Sequence, residues 1–148
     1  MDLKKLTLIR HAQPKSGSEP DPQLSEPGCK QAAELSGHYQ LVVLGPLRRH
    51  LDTYVNSDIS GDRMAMSELL REQKMGDKAY NYYRNEDQNL ETRADVMVRV
   101  KELKAWLRLQ PETEICLITS AFFMCYFIDS CGVPRGLINY CQRFELEM

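Results

Sequence analysis

The side chains best suited to chemistry in this chain are arginines that stand beside histidines. Arg10 and His11 directly follow an apolar run. Arg48, Arg49 and His50 come shortly after the next apolar run. Guanidinium groups bind anionic oxygens through paired hydrogen bonds, and a neutral imidazole is a nucleophile near neutral pH. This combination predicts a site for a phosphate group, although such pairs also occur by chance on solvent-exposed helices.

Buried strands that end in turns must position these groups. Lys5–Arg10, residues 40–44 and Glu114–Thr119 each contain a continuous apolar run, which is typical of strands buried on both faces of a parallel sheet. In such sheets, ligands bind at the carboxyl ends of the strands. We therefore expect the arginine–histidine pairs to meet there, together with Ser120 after the third strand.

Helices are predicted between these strands. The helical segments cover residues 25–37 with Ser25 as N-cap, residues 47–55, residues 90–110 and Ala121–Ser130. A last strand at Arg143–Glu147 alternates apolar and charged residues, as an edge strand does. The alternation of strands and helices predicts a three-layer α/β/α sandwich with a mostly parallel central sheet.

The mouth of the site is predicted to be lined by residues 12–28 and by the tyrosine-rich residues 79–89. Residues 12–28 are rich in Pro, Ser, Gly and Asp, which is typical of a surface loop. Residues 56–89 are expected to form loops and short helices, with a possible short strand at residues 65–70. Three tyrosines in the second segment could stack on a base or another ring, or form a partly buried cap: Tyr80, Tyr82 and Tyr83.

Composition predicts one globular domain over residues 1–148, because 43% of the residues are hydrophobic and 27% are charged. The 19 Lys and Arg residues against 21 Asp and Glu residues argue against nucleic acid or a membrane surface as the main partner. The longest apolar run has eight residues, whereas a membrane-spanning helix needs about 20.

Cysteine usage and the first residues predict a location in the cytoplasm. The five cysteines are odd in number and contain no C-x-x-C pair, so we expect reduced thiols rather than disulfides or a metal site. The first five residues lead directly into a strand-like segment, without the apolar core of a secretory signal. No cofactor is expected.

Five segments of the chain, in order, resemble the motifs of the histidine phosphatase superfamily, also called phosphoglycerate mutase-like. They are LIRHAQ from Leu8, LSEPGCKQA from Leu24, GPLRRHLDT from Gly45, LREQKMG from Leu70 and ETRADVMVR from Glu91. The corresponding family patterns are a strand ending in Arg-His-Gly, then L-T/S-x-x-G-x-x-Q-A, S-P-L-x-R-A-x-x-T, L-x-E-x-x-x-G and E-S-x-x-D-x-x-x-R. The resemblance extends from about residue 6 to residue 123.

The resemblance implies a phosphoglycerate mutase-like fold and hydrolysis of phosphomonoesters through a phosphohistidine. His11 would attack the phosphorus, while Arg10 and Arg49, rather than Arg48, would bind the phosphate oxygens. Glu72 would protonate the leaving oxygen, which requires a raised pKa. The alternative for Glu72 is an exposed glutamate in a loop.

The sequence departs from the family pattern at three positions. Ser120 stands where the family has its second phosphate-contacting histidine, and we expect its hydroxyl group to contact the phosphate instead. Gly45 replaces a serine, and Ala12 replaces a glycine. Either of the two remaining histidines, His38 and His50, could in principle compensate for the missing one, but both are interpreted as ordinary residues on helix surfaces.

Two functions therefore remain open. The first is a histidine-type hydrolase resembling acid phosphatases and phosphohistidine phosphatases, slow or specialised because the second histidine is missing. The second is a catalytically inactive phosphatase-like domain that binds a phosphorylated ligand or a protein partner. The expected partner is a phosphorylated small molecule or a phosphoprotein, and the sequence does not indicate an oligomeric state. If an imidazole fits at Ser120, the substitution Ser120→His should raise kcat.

Overall fold

A central sheet forms the framework of the protein in the computed structural model, which describes residues 3–17, 19–74 and 90–148. The strands in these ranges are β1 (Lys5–Arg10), β2 (Ser36–Leu44), β3 (Asp58–Met66), β4 (Glu114–Thr119) and β5 (Arg143–Glu147). The α-helices in the same ranges are α1 (Glu26–Ala33), α2 (Arg48–Asn56), α3 (Arg93–Leu109) and α4 (Ala121–Ser130). A short 3-10 helix covers Glu68–Leu70.

The strands are arranged in the order β3-β2-β4-β1-β5. All neighbouring pairs are parallel except β1 with β5, which is antiparallel. The predicted α/β architecture with a mostly parallel sheet is therefore confirmed, and β5 is an edge strand as expected. None of the helices in the described ranges is long and apolar enough to cross a lipid bilayer.

Side chains of the central strands alternate between two buried clusters, one on each face of the sheet. Leu41 and Val43 of β2 face the larger cluster, which includes apolar residues of α3 and α4. Val42 and Leu44 face the opposite cluster, against which Tyr54 of α2 packs. Because both faces are covered, these strands are continuously apolar, which explains why their sequence signal is strong.

The predicted boundaries near β2 and β3 are wrong. Helix α1 ends at Ala33, and β2 begins at Ser36 rather than at residue 40. The whole of Asp58–Met66 is a strand, where we predicted loops and a short strand at residues 65–70. β3 is an edge strand, and most of its side chains are exposed or half-buried, so its pairing with β2 leaves no apolar pattern in the sequence.

The other boundaries agree closely with the sequence patterns. β1, β4, α4 and β5 have the predicted ends, and α2 is shifted by one residue. Helix α3 starts at Arg93, because the side chains and backbones of Thr92 and Asp95 form a reciprocal capping box before it. The predicted tyrosine-rich cap, with Tyr80, Tyr82 and Tyr83, lies outside the described residues.

Candidate active site

A cleft of about 430 Å³ opens at the carboxyl edge of the sheet. Arg10, His11, Arg49 and Glu72 line it together, although they come from three separate parts of the chain. His11 directly follows β1, and its backbone N–H donates to the Thr119 carbonyl at the end of β4. The structure therefore brings four of the five predicted site residues to one surface.

The imidazole of His11 is neutral, and one of its ring nitrogens carries a lone pair that can act as a nucleophile. Its Nδ1 lies 2.7 Å from the Ala12 carbonyl oxygen, which can only accept, so Nδ1 carries the proton and Nε2 carries a lone pair. Burial lowers the pKa of His11 well below 6.5, and the nearby His50, Arg49 and Arg10 lower it further. A neutral imidazole of this kind is ready to act as a nucleophile.

Arg10 is oriented by two contacts at the cleft. Its Nη1 donates to the Ile138 carbonyl at 2.8 Å, and its guanidinium carbon lies 4.1 Å from the centre of the Tyr140 ring. The Nε atom is buried and has no hydrogen-bond partner among the described residues. Since buried donors normally have partners, this N–H is suited to an anionic ligand.

The two arginines at the start of α2 have different positions. Arg49 is buried at 6% exposure and lines the cleft. Arg48 is exposed, and its guanidinium donates to the Gln23 side chain at 2.9 Å and lies 3.5 Å from the Asp52 carboxylate. The geometry thus places Arg49, rather than Arg48, where a phosphate ligand is predicted.

Helix α1 holds the backbone that follows His11. The Gln13 N–H donates to Oε1 of Gln31 at 3.1 Å, and the Ser25 hydroxyl donates to the Gln13 carbonyl at 3.2 Å. Gly28 allows this close approach, because a Cβ atom there would lie 2.1 Å from the Gln13 carbonyl oxygen. The LSEPGCKQA segment therefore supports the loop that borders the cleft.

Thr53 connects the backbones that carry His11 and Arg49. Its Oγ1 accepts from the Ala12 N–H at 2.9 Å and donates to the Arg49 carbonyl at 2.7 Å. Thr53 is fully buried, so water does not compete for these bonds. The threonine of the GPLRRHLDT segment thus sets the distance between the histidine and the arginine.

Glu72 is buried at 2% exposure, which excludes the alternative of an exposed glutamate in a loop. Its Oε1 accepts from the backbone N–H groups of Gln73 at 2.8 Å and Phe123 at 2.9 Å. Its Oε2 accepts from the Phe122 N–H at 3.0 Å. Phe122 and Phe123 belong to the first turn of α4, so the carboxyl group of Glu72 caps that helix.

Two opposing effects act on the pKa of Glu72. Burial raises the pKa above its ordinary value of 4.5, while the three backbone N–H groups and the charge of Arg99 lower it. Burial is the larger effect, and the pKa is raised overall. A carboxyl group with a raised pKa at the wall of the cleft can hold the proton that a leaving oxygen requires.

A buried arginine holds the segment before Glu72. Arg99 of α3 donates through Nε and Nη2 to both carboxylate oxygens of Glu91, each at 2.9 Å. Its Nη1 donates to the carbonyls of Leu69 and Arg71 at 2.9 and 2.8 Å. The ETRADVMVR segment therefore ties α3 to the chain that delivers Glu72.

The remaining predicted site residue, Ser120, forms a hydrogen bond with a histidine. His50 is completely buried, and its Nε2 lies 2.8 Å from the Ser120 Oγ. The interpretation of His50 as a helix-surface residue is therefore wrong. His38 is exposed, but it lies on β2 rather than on a helix, where it contacts Asp62 and Ser60.

The mouth of the cleft includes one residue that the sequence patterns did not indicate. Tyr140 stacks on Arg10, and its ring centre lies 6.0 Å from that of His11. It is brought there by the backbone bond from the Cys141 N–H to the Arg10 carbonyl. Part of the predicted loop 12–28 also lines the mouth, from Gln13 to Gly17 and at Pro22.

Comparison with known proteins identifies the fold. No protein family model and no curated protein sequence matches this chain. Solved structures do match, among them a mycobacterial glucosyl-3-phosphoglycerate phosphatase with a TM-score of 0.71 and 20% identity, covering 99% of this chain and 91% of that one. A phosphoserine phosphatase from Entamoeba histolytica, in complex with 3-phosphoglyceric acid, matches with a TM-score of 0.62 and 18% identity over 96% and 89% of the chains.

An alpha-ribazole phosphatase from Shigella flexneri matches with a TM-score of 0.61 and 20% identity, over 88% of this chain and 81% of that one. Each of these three proteins is named as a phosphatase. The chain therefore has the phosphoglycerate mutase-like fold that its motifs predict.

Proposed function

We propose that this protein is a phosphomonoester hydrolase that transfers a phosphoryl group first to His11 and then to water. The observation that carries the proposal is the neutral His11, whose Nε2 lone pair is available in the cleft lined by Arg10, Arg49 and Glu72. The similar structures named above are phosphatases by name, which supports the same class of reaction.

In the first step, the Nε2 lone pair of His11 attacks phosphorus and forms an N–P bond. The P–O bond to the leaving group breaks, and its electron pair stays on the leaving oxygen. Glu72 transfers its proton to that oxygen, so an alcohol departs and a carboxylate remains. Arg10 and Arg49 stabilise the negative charge on the non-bridging oxygens.

In the second step, water attacks the phosphohistidine. Glu72, now a carboxylate, accepts a proton from the water while a new P–O bond forms. The N–P bond breaks, and its electron pair returns to Nε2 of His11. The products are inorganic phosphate and the starting enzyme, with neutral His11 and protonated Glu72.

The substrate class follows from the shape and charge of the mouth. A cleft of about 430 Å³ accommodates a small phosphoester or a phosphorylated side chain. Lys15 at the rim adds a cation that would interact with a second acidic group of the substrate. A phosphorylated small molecule or a phosphoprotein therefore remains the proposed partner. The cytoplasmic location, based on the cysteine pattern, also stays a prediction.

Hydrolysis of an aryl phosphate by wild-type protein and by His11→Ala tests the proposal. We expect turnover by the wild type, loss of turnover in His11→Ala, and wild-type turnover in the control His38→Ala, whose histidine is exposed on β2. A radiolabelled phosphoenzyme that is stable to alkali and labile to acid should form only when His11 is present.

Turnover that survives His11→Ala would exclude the phosphohistidine route. Absence of turnover in the wild type, combined with binding of phosphate or vanadate that depends on Arg10 and Arg49, would favour the alternative of an inactive domain that binds phosphorylated partners. Absence of both turnover and anion binding would contradict both functions.

A further inference from the structure

Two of the positions that depart from the family pattern, Gly45 and Ser120, lie on either side of His50, which stands where the pattern S-P-L-x-R-A-x-x-T has alanine. A Cβ atom at Gly45 would lie 2.3 Å from Nδ1 of His50, so the imidazole occupies space that any larger residue at position 45 would fill. The other end of the same ring contacts Ser120, with 2.8 Å between Nε2 and Oγ. The glycine, the histidine and the serine therefore form one arrangement rather than three separate changes.

The hydrogen bonds of His50 determine where its proton lies. The Leu47 backbone N–H donates to Nδ1 at 3.1 Å, and an N–H group can only donate, so Nδ1 carries a lone pair. The proton of the neutral ring is then on Nε2, which donates to the Ser120 hydroxyl. Burial and then the charge of Arg49 lower the pKa of His50 to about 3, although a contact with the Gly45 backbone acts in the opposite direction, so the ring is neutral at physiological pH.

The Ser120 hydroxyl group has a hydrogen that no other described residue accepts. Its Oγ accepts from His50, and it makes no side-chain bond to the α4 backbone, although Ser120 is the N-cap residue of that helix. Ser120 directly precedes Ala121, which lines the cleft, and the rings of His50 and His11 are 5.5 Å apart. Ser120 is itself buried, and a phosphoryl oxygen on His11 would be an acceptor for this hydrogen.

We propose that His50 is a positioning residue that orients the Ser120 hydroxyl group as a neutral hydrogen-bond donor to the phosphoryl group on His11. This inference rests on the proposed function. The pair would take the place of the missing histidine, with the imidazole supplied from α2 and the contact made by a hydroxyl group. Because neither group is charged, the pair stabilises the phosphoryl oxygens without adding a cation beside the nucleophile.

The arrangement changes the expectation for Ser120→His. An imidazole at position 120 would meet His50, whose Nε2 lies only 2.8 Å from the present Oγ. Ser120→His alone should therefore not raise kcat. The family arrangement requires three changes together: Gly45→Ser, His50→Ala and Ser120→His.

Kinetics of single and double variants with an aryl phosphate test the coupling. Ser120→Ala and His50→Phe should each lower kcat by about 10²- to 10³-fold, and the double variant should be no worse than either one. His50→Gln can place an amide N–H near the position of Nε2, so it should recover part of the loss. A His50→Phe variant that folds and retains wild-type kcat would overturn the proposal, as would losses that multiply in the double variant.

A rescue experiment tests whether His50 acts by orienting the Ser120 hydroxyl group or only by filling space in the core. Gly45→Ser should displace His50 and lower kcat, and the triple variant with His50→Ala and Ser120→His should restore it. A triple variant that melts like the wild type yet is no more active than Gly45→Ser would contradict the proposal. So would Ser120→His alone if it were as active as the triple variant.

Two readouts keep this proposal distinct from the proposed function. Imidazole ¹⁵N NMR of the wild type should show His50 protonated at Nε2 and not titrating between about pH 5 and pH 8; the opposite tautomer would overturn the positioning role. If wild-type protein shows no turnover, the proposed function fails by itself. The affinity for inorganic phosphate should then still fall in Ser120→Ala and His50→Phe, and equal affinity in all three proteins would overturn the positioning role as well.

Discussion

The carboxyl group of Glu72 accepts the backbone N–H of Phe123 at 2.9 Å and so caps helix α4. This is the bond that a serine at the N-cap usually supplies, but the hydroxyl group of Ser120 is engaged with His50. The proposed proton donor and the start of the helix are therefore fixed by the same contact. Any change at Glu72 must be interpreted for its effect on both chemistry and helix stability.

Glu72→Gln should separate the two roles. The amide retains an oxygen that can accept from α4 but has no proton to transfer. We expect kcat/KM, which reports the step that forms the phosphohistidine, to fall by about 10²- to 10⁴-fold for an alkyl phosphate. It should fall much less for an aryl phosphate with an acidic phenol, because that leaving group needs no proton. Equal losses with both substrates would show that Glu72 does not protonate the leaving oxygen.

The pH dependence of kcat/KM should also report the protonation of Glu72. His11 attacks when neutral, and its lowered pKa keeps it neutral well below pH 6.5. Glu72 donates when protonated, so the rate should fall as pH rises through its pKa, which burial raises above 4.5. We expect an acidic optimum in the wild type and loss of the alkaline decline in Glu72→Gln. A decline that persists unchanged in the variant would assign it to another group.

Gly28→Ala should disturb the loop after His11. The new methyl group would overlap the Gln13 carbonyl oxygen, so the loop or α1 must shift. We expect a loss of about 1–3 kcal/mol in the free energy of unfolding and a higher KM. Gly136→Ala is a matched control, because a Cβ atom there has no neighbour within 4 Å. If both variants behave alike, α1 does not support the site as described.

Arg99→Leu should destabilise the protein strongly. It leaves the Glu91 carboxylate and the Leu69 and Arg71 carbonyls without their shared donor. Loss of one partner from such a buried pair lowers the free energy of unfolding by about 3–5 kcal/mol, which urea denaturation would measure. Arg63→Leu is the comparison, because the ion pair of Arg63 with Glu112 lies at the surface, where solvent screening leaves it with little effect on stability. Similar losses in the two variants would contradict the role of Arg99 as the anchor of the Glu72 segment.

The buried neutral His50 should make the fold sensitive to acid. Unfolded His50 binds a proton below about pH 6.5, whereas the folded residue, with a pKa of about 3, does not. The free energy of unfolding therefore decreases as pH falls from about 6.5 toward 3, by about 1.4 kcal/mol per pH unit. His50→Gln should unfold with a correspondingly weaker dependence on pH between 6.5 and 5. The same dependence in both proteins would show that His50 is not buried in its neutral form.

The sequence by itself predicted the fold class and the position of Arg10, His11 and Arg49 at the carboxyl edge of the sheet. Buried parallel strands are apolar along their whole length, so β1 and β4 were recognised with their ends. A polar pair directly after such a strand must lie at the carboxyl edge of the sheet. The resemblance of GPLRRHLDT to the family pattern also pointed to Arg49 rather than Arg48, and α2 places Arg49 at the cleft.

Only the tertiary structure showed the extent of β3 and the burial of His50. An edge strand with exposed side chains has no apolar period, so β3 is recognisable only through its pairing with β2. His50 is polar and follows two arginines, which is typical of an exposed helix face. Its burial depends on the empty space at Gly45 and on the hydroxyl group of Ser120, 70 residues away. Such a contact arises where the ends of β2, α2 and β4 meet, and no local pattern can encode it.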